Sequence, residues 1–363
     1  MMGGTTMAAT GNDQLTIVLT LKDRTPFTYR WMQYLNDLAC PYPIVIADGG
    51  ADAALESHLQ QADHYPNLRF TYLRYPFDDT VARYYQKFSD VISRVSTPYV
   101  LLADNDDFFQ LEAAPAFLRF LDDHPAYVSC GGTTTLLQLM SDDNTGLGSA
   151  TAAGYRATSE HRAGSVTAAT GIDRVCHFMT QVDREGLWWQ WYYVHRTAAV
   201  QQAASIHEFA DPVTFELHMH ICLLMAGPSQ QLSLPFLVSQ IGSSQLTSAI
   251  RSEAGFIERI IRSNGFGDLF RAVARCAPAL SSVERTRIDQ AFAQFFAEQV
   301  MAAYPALRDQ ASGPTQADLI ETTYRSLRRL LRPLKRLVAR PSAPPAPSVR
   351  LPAIEKYILA AAR

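Results

Sequence analysis

The chain has 363 residues, 47% hydrophobic and 18% charged, which suits a globular protein of one large domain or two. No apolar run reaches the ~18 residues of a membrane span, and the opening Met1-Met2-Gly3-Gly4-Thr5-Thr6 lacks the basic and apolar regions of a secretory signal. The net charge of -3 hides ten Lys/Arg and one acid (Glu355) beyond residue 323; the remainder, with 22 basic and 34 acidic residues, does not suit nucleic-acid binding.

Residues 1–14 are Gly/Thr/Ala-rich and are expected to be disordered. Leu15 to Thr20 reads as a first strand bounded by Lys22-Asp23-Arg24. Pro26 then opens a helix with Phe27, Trp31, Tyr34, Leu35 and Leu38 on its apolar face. A second strand, Pro43 to Ala47, runs into the turn Asp48-Gly49-Gly50, and a helix follows from Ala51 to Ala62. Leu68 to Tyr75 is a third strand, Val81 to Val95 a helix capped from Asp78-Asp79-Thr80, and Tyr99 to Ala103 a fourth strand. Strands and helices alternating at this spacing predict an α/β fold with a mainly parallel sheet and right-handed crossovers.

Further on, a helix is expected over Pro115–Asp122, a strand near Tyr127–Cys130, and a long loop or hairpin excursion from Ser141 to Thr170. Ile172–Val182 and Phe215–Ala226 read as helices, the aromatic run Leu187–Arg196 as a strand, and Leu232–Gln240 as a returning strand. From Glu253 the pattern is helical, with capping-box spacing at Ser281-Ser282-Val283-Glu284. Leucines at helical spacing with seven cations between Arg325 and Arg340 describe a basic amphipathic helix, and residues 341–349 a Pro-rich linker. Five cysteines (40, 130, 176, 222, 276) without a CxxC read as thiols in a reducing compartment, placing the protein in the cytoplasm.

The chemistry concentrates at Asp104-Asn105-Asp106-Asp107, directly after the fourth strand. The C-terminal ends of parallel strands present ligand-binding groups. Three carboxylates in four residues repel one another there, and a hard divalent cation relieves that repulsion. Asp23-Arg24 and Asp48 end two other strands and are expected beside them along one sheet edge. Arg83 and Lys87, four apart on a helix, share a face that can meet phosphate.

These segments resemble the GT-A nucleotide-sugar glycosyltransferases, most closely the bacterial family-2-like glycosyltransferase-domain proteins. The matching pieces are Ile17 to Arg24, Ile46-Ala47-Asp48-Gly49-Gly50, Tyr85-Gln86-Lys87-Phe88, and Thr97 to Phe108 with its DxD-like Asp104 to Asp107. The resemblance covers roughly residues 15–245. It implies a GT-A (Rossmann-like) domain over that range, then a helical C-terminal region 246–340 and a linker with a short tail at 341–363. It also implies a metal-dependent transfer, inverting through a carboxylate base, from a nucleotide-sugar donor to a glycan or lipid-linked acceptor.

In that reading Asp48 holds the base, Asp104 lies by the ribose or a metal-bound water, and Asp106, with Asp107 as a second candidate, ligates Mn²⁺ or Mg²⁺. Asp23, Arg24, Arg83 and Lys87 lie near the nucleotide. Glu216 is the candidate base and Asp211 its rival; His218 stands where a further acid is often found. His195 and Arg196 are candidates for the acceptor or phosphates, Trp189 for stacking on a sugar, and His207, His218 and His220 for a third metal ligand. The basic helix would bind an anionic membrane surface, at the inner face of the cell membrane, or pack on the catalytic body. The alternatives are a nucleotidyltransferase, which should show glycines after the first strand, and a non-catalytic nucleotide- or glycan-binding module.

Overall fold

The computed structural model describes residues 13–61, 63–140, 150–160, 164–207, 209, 212–240, 273–276, 279–303 and 350–359. The start expected to be disordered, Asp211, most of 246–281, the basic helix and the Pro-rich linker fall largely or wholly outside them.

Nine strands form one sheet: β1 (Leu15–Leu21), β2 (Ile44–Asp48), β3 (Phe70–Arg74), β4 (Tyr99–Ala103), β5 (Phe108–Phe109), β6 (Ser129–Met140), β7 (Gly154–Glu160), β8 (Val194–Arg196) and β9 (Ser229–Gln240). Their order is β3-β2-β1-β4-β8-β6-β9-β5, with β7 pairing on β6. The first four are mutually parallel, as the alternation predicts. Beyond them β8 runs antiparallel between β4 and β6, and β9 returns parallel to β6. The hairpin excursion after β6 is realised as β7.

The described α-helices are α1 (Thr25–Asp37), α2 (Ala53–Leu59), α3 (Val81–Ser93), α4 (Ala114–Asp123), α5 (Gly171–Glu185), α6 (Thr197–Ala204), α7 (Pro212–Ala226), α8 (Ser282–Ala303) and α9 (Pro352–Ile358). The aromatic run is divided: Leu187–Tyr192 is a 3₁₀ helix, and only Val194–Arg196 pairs as strand. Its apolar run has no period-2 alternation, so composition alone misread it as one strand. Leu38, expected on the buried face of α1, caps that helix and is partly exposed. The capping box holds: Ser281 N–H donates to Glu284 Oε2 (2.9 Å), and Glu284 N–H to Ser281 Oγ (3.3 Å).

The central strands are buried on both faces, as parallel strands covered by helices must be. Leu15, Ile17, Leu19 and Leu21 pack with Trp31 and Leu35 of α1, whereas Val18 packs with Phe88, Val91 and Ile92 of α3. A third cluster joins α5, α7 and α8 through Phe178, Leu217, Ile221 and Phe292. The short tail beyond the linker is an integral part of the body. Leu351, Ile354, Tyr357 and Ile358 are buried in the main core, Tyr357 meets Tyr34 edge-on, and Lys356 pairs with Asp37 (2.5 Å).

Candidate active site

Strand register sets the site. Leu21 pairs with Asp48 and Asp48 with Arg74, while Ala103 pairs with Leu19, so four parallel strands end at nearly the same level. Asp23 and Arg24 are both left-handed (φ 57° and 60°). A non-glycine residue pays on the order of 1–2 kcal/mol for that conformation, and here the turn carries Arg24 back over β4. Its Nη1 lies 3.3 Å from Asp106 Oδ2, and its guanidinium rests on the Phe27 ring.

Asp104, Asp106 and Asp107 hold carboxylate oxygens within 4.8 Å of one another. Burial, then the charge of Asp106, pushes Asp104 up to about 6. The same two causes, with Asp104 added, raise Asp107 well above the usual carboxylate range. Such a cluster of hard oxygens is costly when ionised and is relieved by a divalent cation, so its residues fit one. The supports are specific. Tyr192 donates to Asp104 Oδ2 (2.7 Å), Gln240 N–H to Asp107 Oδ1 (2.9 Å), and Asn105 to Thr28 Oγ1 (2.9 Å).

Arg30 is a site residue that the sequence did not reveal. Buried on α1 between the rings of Phe27 and Phe108, it donates to the carbonyls of Asp106 (3.0 Å) and Ala150 (2.6 Å) and to Gln240 Oε1 (2.8 Å). It joins three remote segments under the acidic turn. Nothing in its spacing marks it, because its partners lie 76 to 210 residues away.

The base-holding role expected of Asp48 meets a different geometry. Asp48 is 1% exposed, accepts from Gly50 N–H (2.6 Å), Tyr72 Oη (2.6 Å) and Arg74 Nη1 (2.5 Å), and so has its carboxylate occupied from inside the protein. Arg74, also bonded to the Gly50 carbonyl (2.5 Å), is the group this pair turns toward solvent. Asp23 acts as a clasp, accepting from Ala51 N–H (2.6 Å).

Lys87 does not reach the surface. It is 2% exposed, ion-paired with Asp78 and bonded to the Leu21 carbonyl (2.7 Å), beneath the strand ends rather than beside them. Burial lowers the Lys87 pKa and raises that of Asp78. Arg83 is half exposed and pairs with Asp79 (3.2 Å), an ordinary surface helix pair. Gly49 packs so closely on Asp78 that a Cβ there would overlap its carboxylate. Gly49→Ala should therefore cost about 1–3 kcal/mol, read as a lower urea midpoint; unchanged stability would show that Asp78 moves freely.

His195 and Arg196 are corrected outright. Antiparallel pairing sets Arg196 opposite Tyr99 and His195 opposite Val100, at the start of β4 and away from Asp104. His195 is 1% exposed between Ser129 Oγ (2.7 Å) and the Trp191 carbonyl (3.1 Å), and burial pushes its pKa down to about 4. Arg196 donates to the carbonyls of Tyr127 (2.7 Å) and Leu121 (2.6 Å). Neither His218 nor His220 reaches the acidic turn; both are buried, the second against Phe178 and Trp188.

Trp189 stays beside the site, half-buried with its ring centroid 6.3 Å from that of Tyr192. Glu216 is exposed near the N-terminal end of α7. It bears on the same region through Tyr84, whose hydroxyl bonds Thr20 Oγ1 (2.8 Å). Burial first, and then the charges of Asp104, Asp78 and Glu216, raise the Tyr84 phenol. The thiol expectation fails for two of the five cysteines: Cys222 and Cys276 form a disulfide, while Cys40, Cys130 and Cys176 are free.

The acid cluster carries a pH signature. Asp104 has its folded pKa raised from 3.8 to about 6, so protons bind the native state more tightly. Without a cation, stability from this residue is lost as pH rises through about 4 to 6. Wild type should therefore lose ground to Asp104→Asn across that window in EDTA. With Mn²⁺ the sign should reverse. Thermal unfolding at pH 4.5 and 7 checks both, and parallel curves would remove the cluster from the account.

No family model and no curated protein matches this chain. Solved structures do resemble it in fold. S. aureus TarS 1-349 in complex with UDP-GlcNAc matches at 14% identity and TM-score 0.47, over 80% of this chain and 73% of that one. A second structure of S. aureus TarS 1-349 matches at 12% and 0.45, over 85% and 78%. Mannosyltransferase PcManGT from Pyrobaculum calidifontis, in complex with GDP-Man and Mn²⁺, matches at 12% and 0.40, over 86% and 80%. The chain has an α/β fold whose first four strands are parallel, with its acidic turn at the end of the fourth strand.

Proposed function

We propose that the protein is a metal-dependent glycosyltransferase that moves a sugar from a nucleotide-sugar donor to a glycan or lipid-linked acceptor, with inversion. The observation that carries this is the largely buried Asp104–Asp106–Asp107 cluster at a parallel-strand edge, with Asp104 and Asp107 raised first by burial and then by the charge of Asp106. A cation held by Asp106, with Asp104 and Asp107, would offset charge growing on the departing nucleoside diphosphate.

The chain's own groups support the rest. Arg24 balances Asp106 at 3.3 Å without a metal, and is free to meet phosphate once a cation takes its place. Arg30, Tyr192 and Gln240 hold the acidic turn in one geometry, so little reorganises during reaction. Glu216 would take the proton of the acceptor hydroxyl as its oxygen bonds the anomeric carbon and the sugar–phosphate bond breaks. Trp189 offers an aromatic face for a sugar.

The nucleotidyltransferase alternative lacks its glycines: Leu21 to Pro26 turns through left-handed Asp23 and Arg24 instead. Screening nucleotide sugars for Mn²⁺-dependent thermal stabilisation tests the proposal, since a ligand at 100 times its Kd adds about 2.7 kcal/mol. No stabilisation by any donor with Mn²⁺ or Mg²⁺ would overturn it.

Among the described residues no helix is long and apolar enough to cross a membrane. A cytoplasmic protein held peripherally at an anionic surface by residues 324–340 fits a lipid-linked acceptor. Deleting everything beyond 323 would also remove α9, a piece of the core. Replacing the seven cations with Gln is the cleaner change, and it should abolish co-flotation with anionic liposomes. Undiminished flotation would leave that segment without a membrane role.

A further inference from the structure

We propose that His218, Cys222 and Cys276, when the two cysteines are reduced, form a second metal site that takes a thiophilic divalent cation such as Zn²⁺. The disulfide joins α7 to the segment 273–276 across a sequence separation of 54, with Cα atoms 5.8 Å apart. His218 lies one helical turn before Cys222 and so shares its face. The three ligand atoms lie within 4.8 Å of one another.

The histidine is prepared as a ligand. It is fully buried, and Nε2 stands 3.0 Å from the Ala203 carbonyl, an acceptor, so Nε2 carries the proton and Nδ1 the lone pair. A backbone carbonyl fixing one ring nitrogen while the other coordinates is the usual support of a metal-bound imidazole. Phe209 packs against His218 with centroids 4.9 Å apart.

The spacing agrees with coordination. Tetrahedral zinc, with bonds of about 2.3 Å to sulfur and about 2.0 Å to nitrogen, separates these atoms by about 3.5 Å. Cys222 Sγ lies 3.5 Å from His218 Nδ1. The two sulfurs must part, to about 3.7 Å. An external dithiol supplies that change: it gives two electrons and two protons to the disulfide, becoming a disulfide itself, and the cation then displaces both thiol protons. Cys222 is buried and Cys276 half-buried, so the cation enters from the Cys276 side, where water takes the fourth position. Two thiolates and an imidazole favour zinc strongly over manganese, whereas the carboxylate cluster suits hard cations such as Mg²⁺ or Mn²⁺.

Co²⁺ is the probe, because its thiolate complexes absorb in the near ultraviolet and its carboxylate complexes do not. Full-length protein, reduced and freed of reductant under nitrogen, should bind one equivalent with a thiolate charge-transfer band, and Zn²⁺ should displace it. Oxidised protein should show no band, a contrast that needs no mutation. Cys222→Ser and Cys276→Ser should lose it, Cys176→Ser should keep it, and His218→Gln should weaken Co²⁺ binding about tenfold or more. A reduced protein with five titratable thiols and no band would overturn the site, as would a band that survives Cys276→Ser. Either result leaves the glycosyltransferase reading untouched, since the acidic cluster contributes nothing to this signal.

Discussion

Asp106→Ala is expected to abolish Mn²⁺-dependent binding of the nucleotide-sugar donor, a loss of 100-fold or more on the order of a metal's several kcal/mol of charge stabilisation. Asp106 is the acid that perturbs both neighbours: its charge raises Asp104 and Asp107. It also faces Arg24 at the open side of the cluster, where a cation and a diphosphate would meet. The same change should let the carboxyl groups of Asp104 and Asp107 ionise at lower pH, which carbon-detected NMR titration reads directly. Calorimetry with Mn²⁺ and donor checks the binding. Wild-type affinity in the variant would mean that the cluster holds no functional metal.

Glu216→Gln should leave donor affinity within about twofold and reduce turnover by about 10²–10⁴-fold, the usual contribution of general-base catalysis. The isosteric amide keeps the size and polarity of an exposed residue, so the fold should be untouched. Loss of turnover with unchanged donor binding separates a proton acceptor from a binding residue. Normal turnover would pass the base role to Asp211 or to another group. The electrostatic link from Glu216 through Tyr84 to Asp104 predicts a further sign: Glu216→Gln should lower the Tyr84 phenol pKa.

The sequence by itself determined the parallel half of the sheet and the place of the acidic turn. Both follow from local rules: apolar β runs, turn residues at their ends, and helices between. It also sufficed for the capping box at Ser281 and Glu284, because all the atoms involved lie within four residues. Lys87, Asp48, His195 and Arg196 were beyond it. Their surroundings depend on pairing partners, and an antiparallel β8 turns Arg196 toward the start of β4 instead of its end. Arg30, the Cys222–Cys276 pair and the docked α9 were likewise decided only by tertiary structure. Each owes its position to residues tens to hundreds of positions away, brought together when the sheet and its covering helices bury their apolar faces.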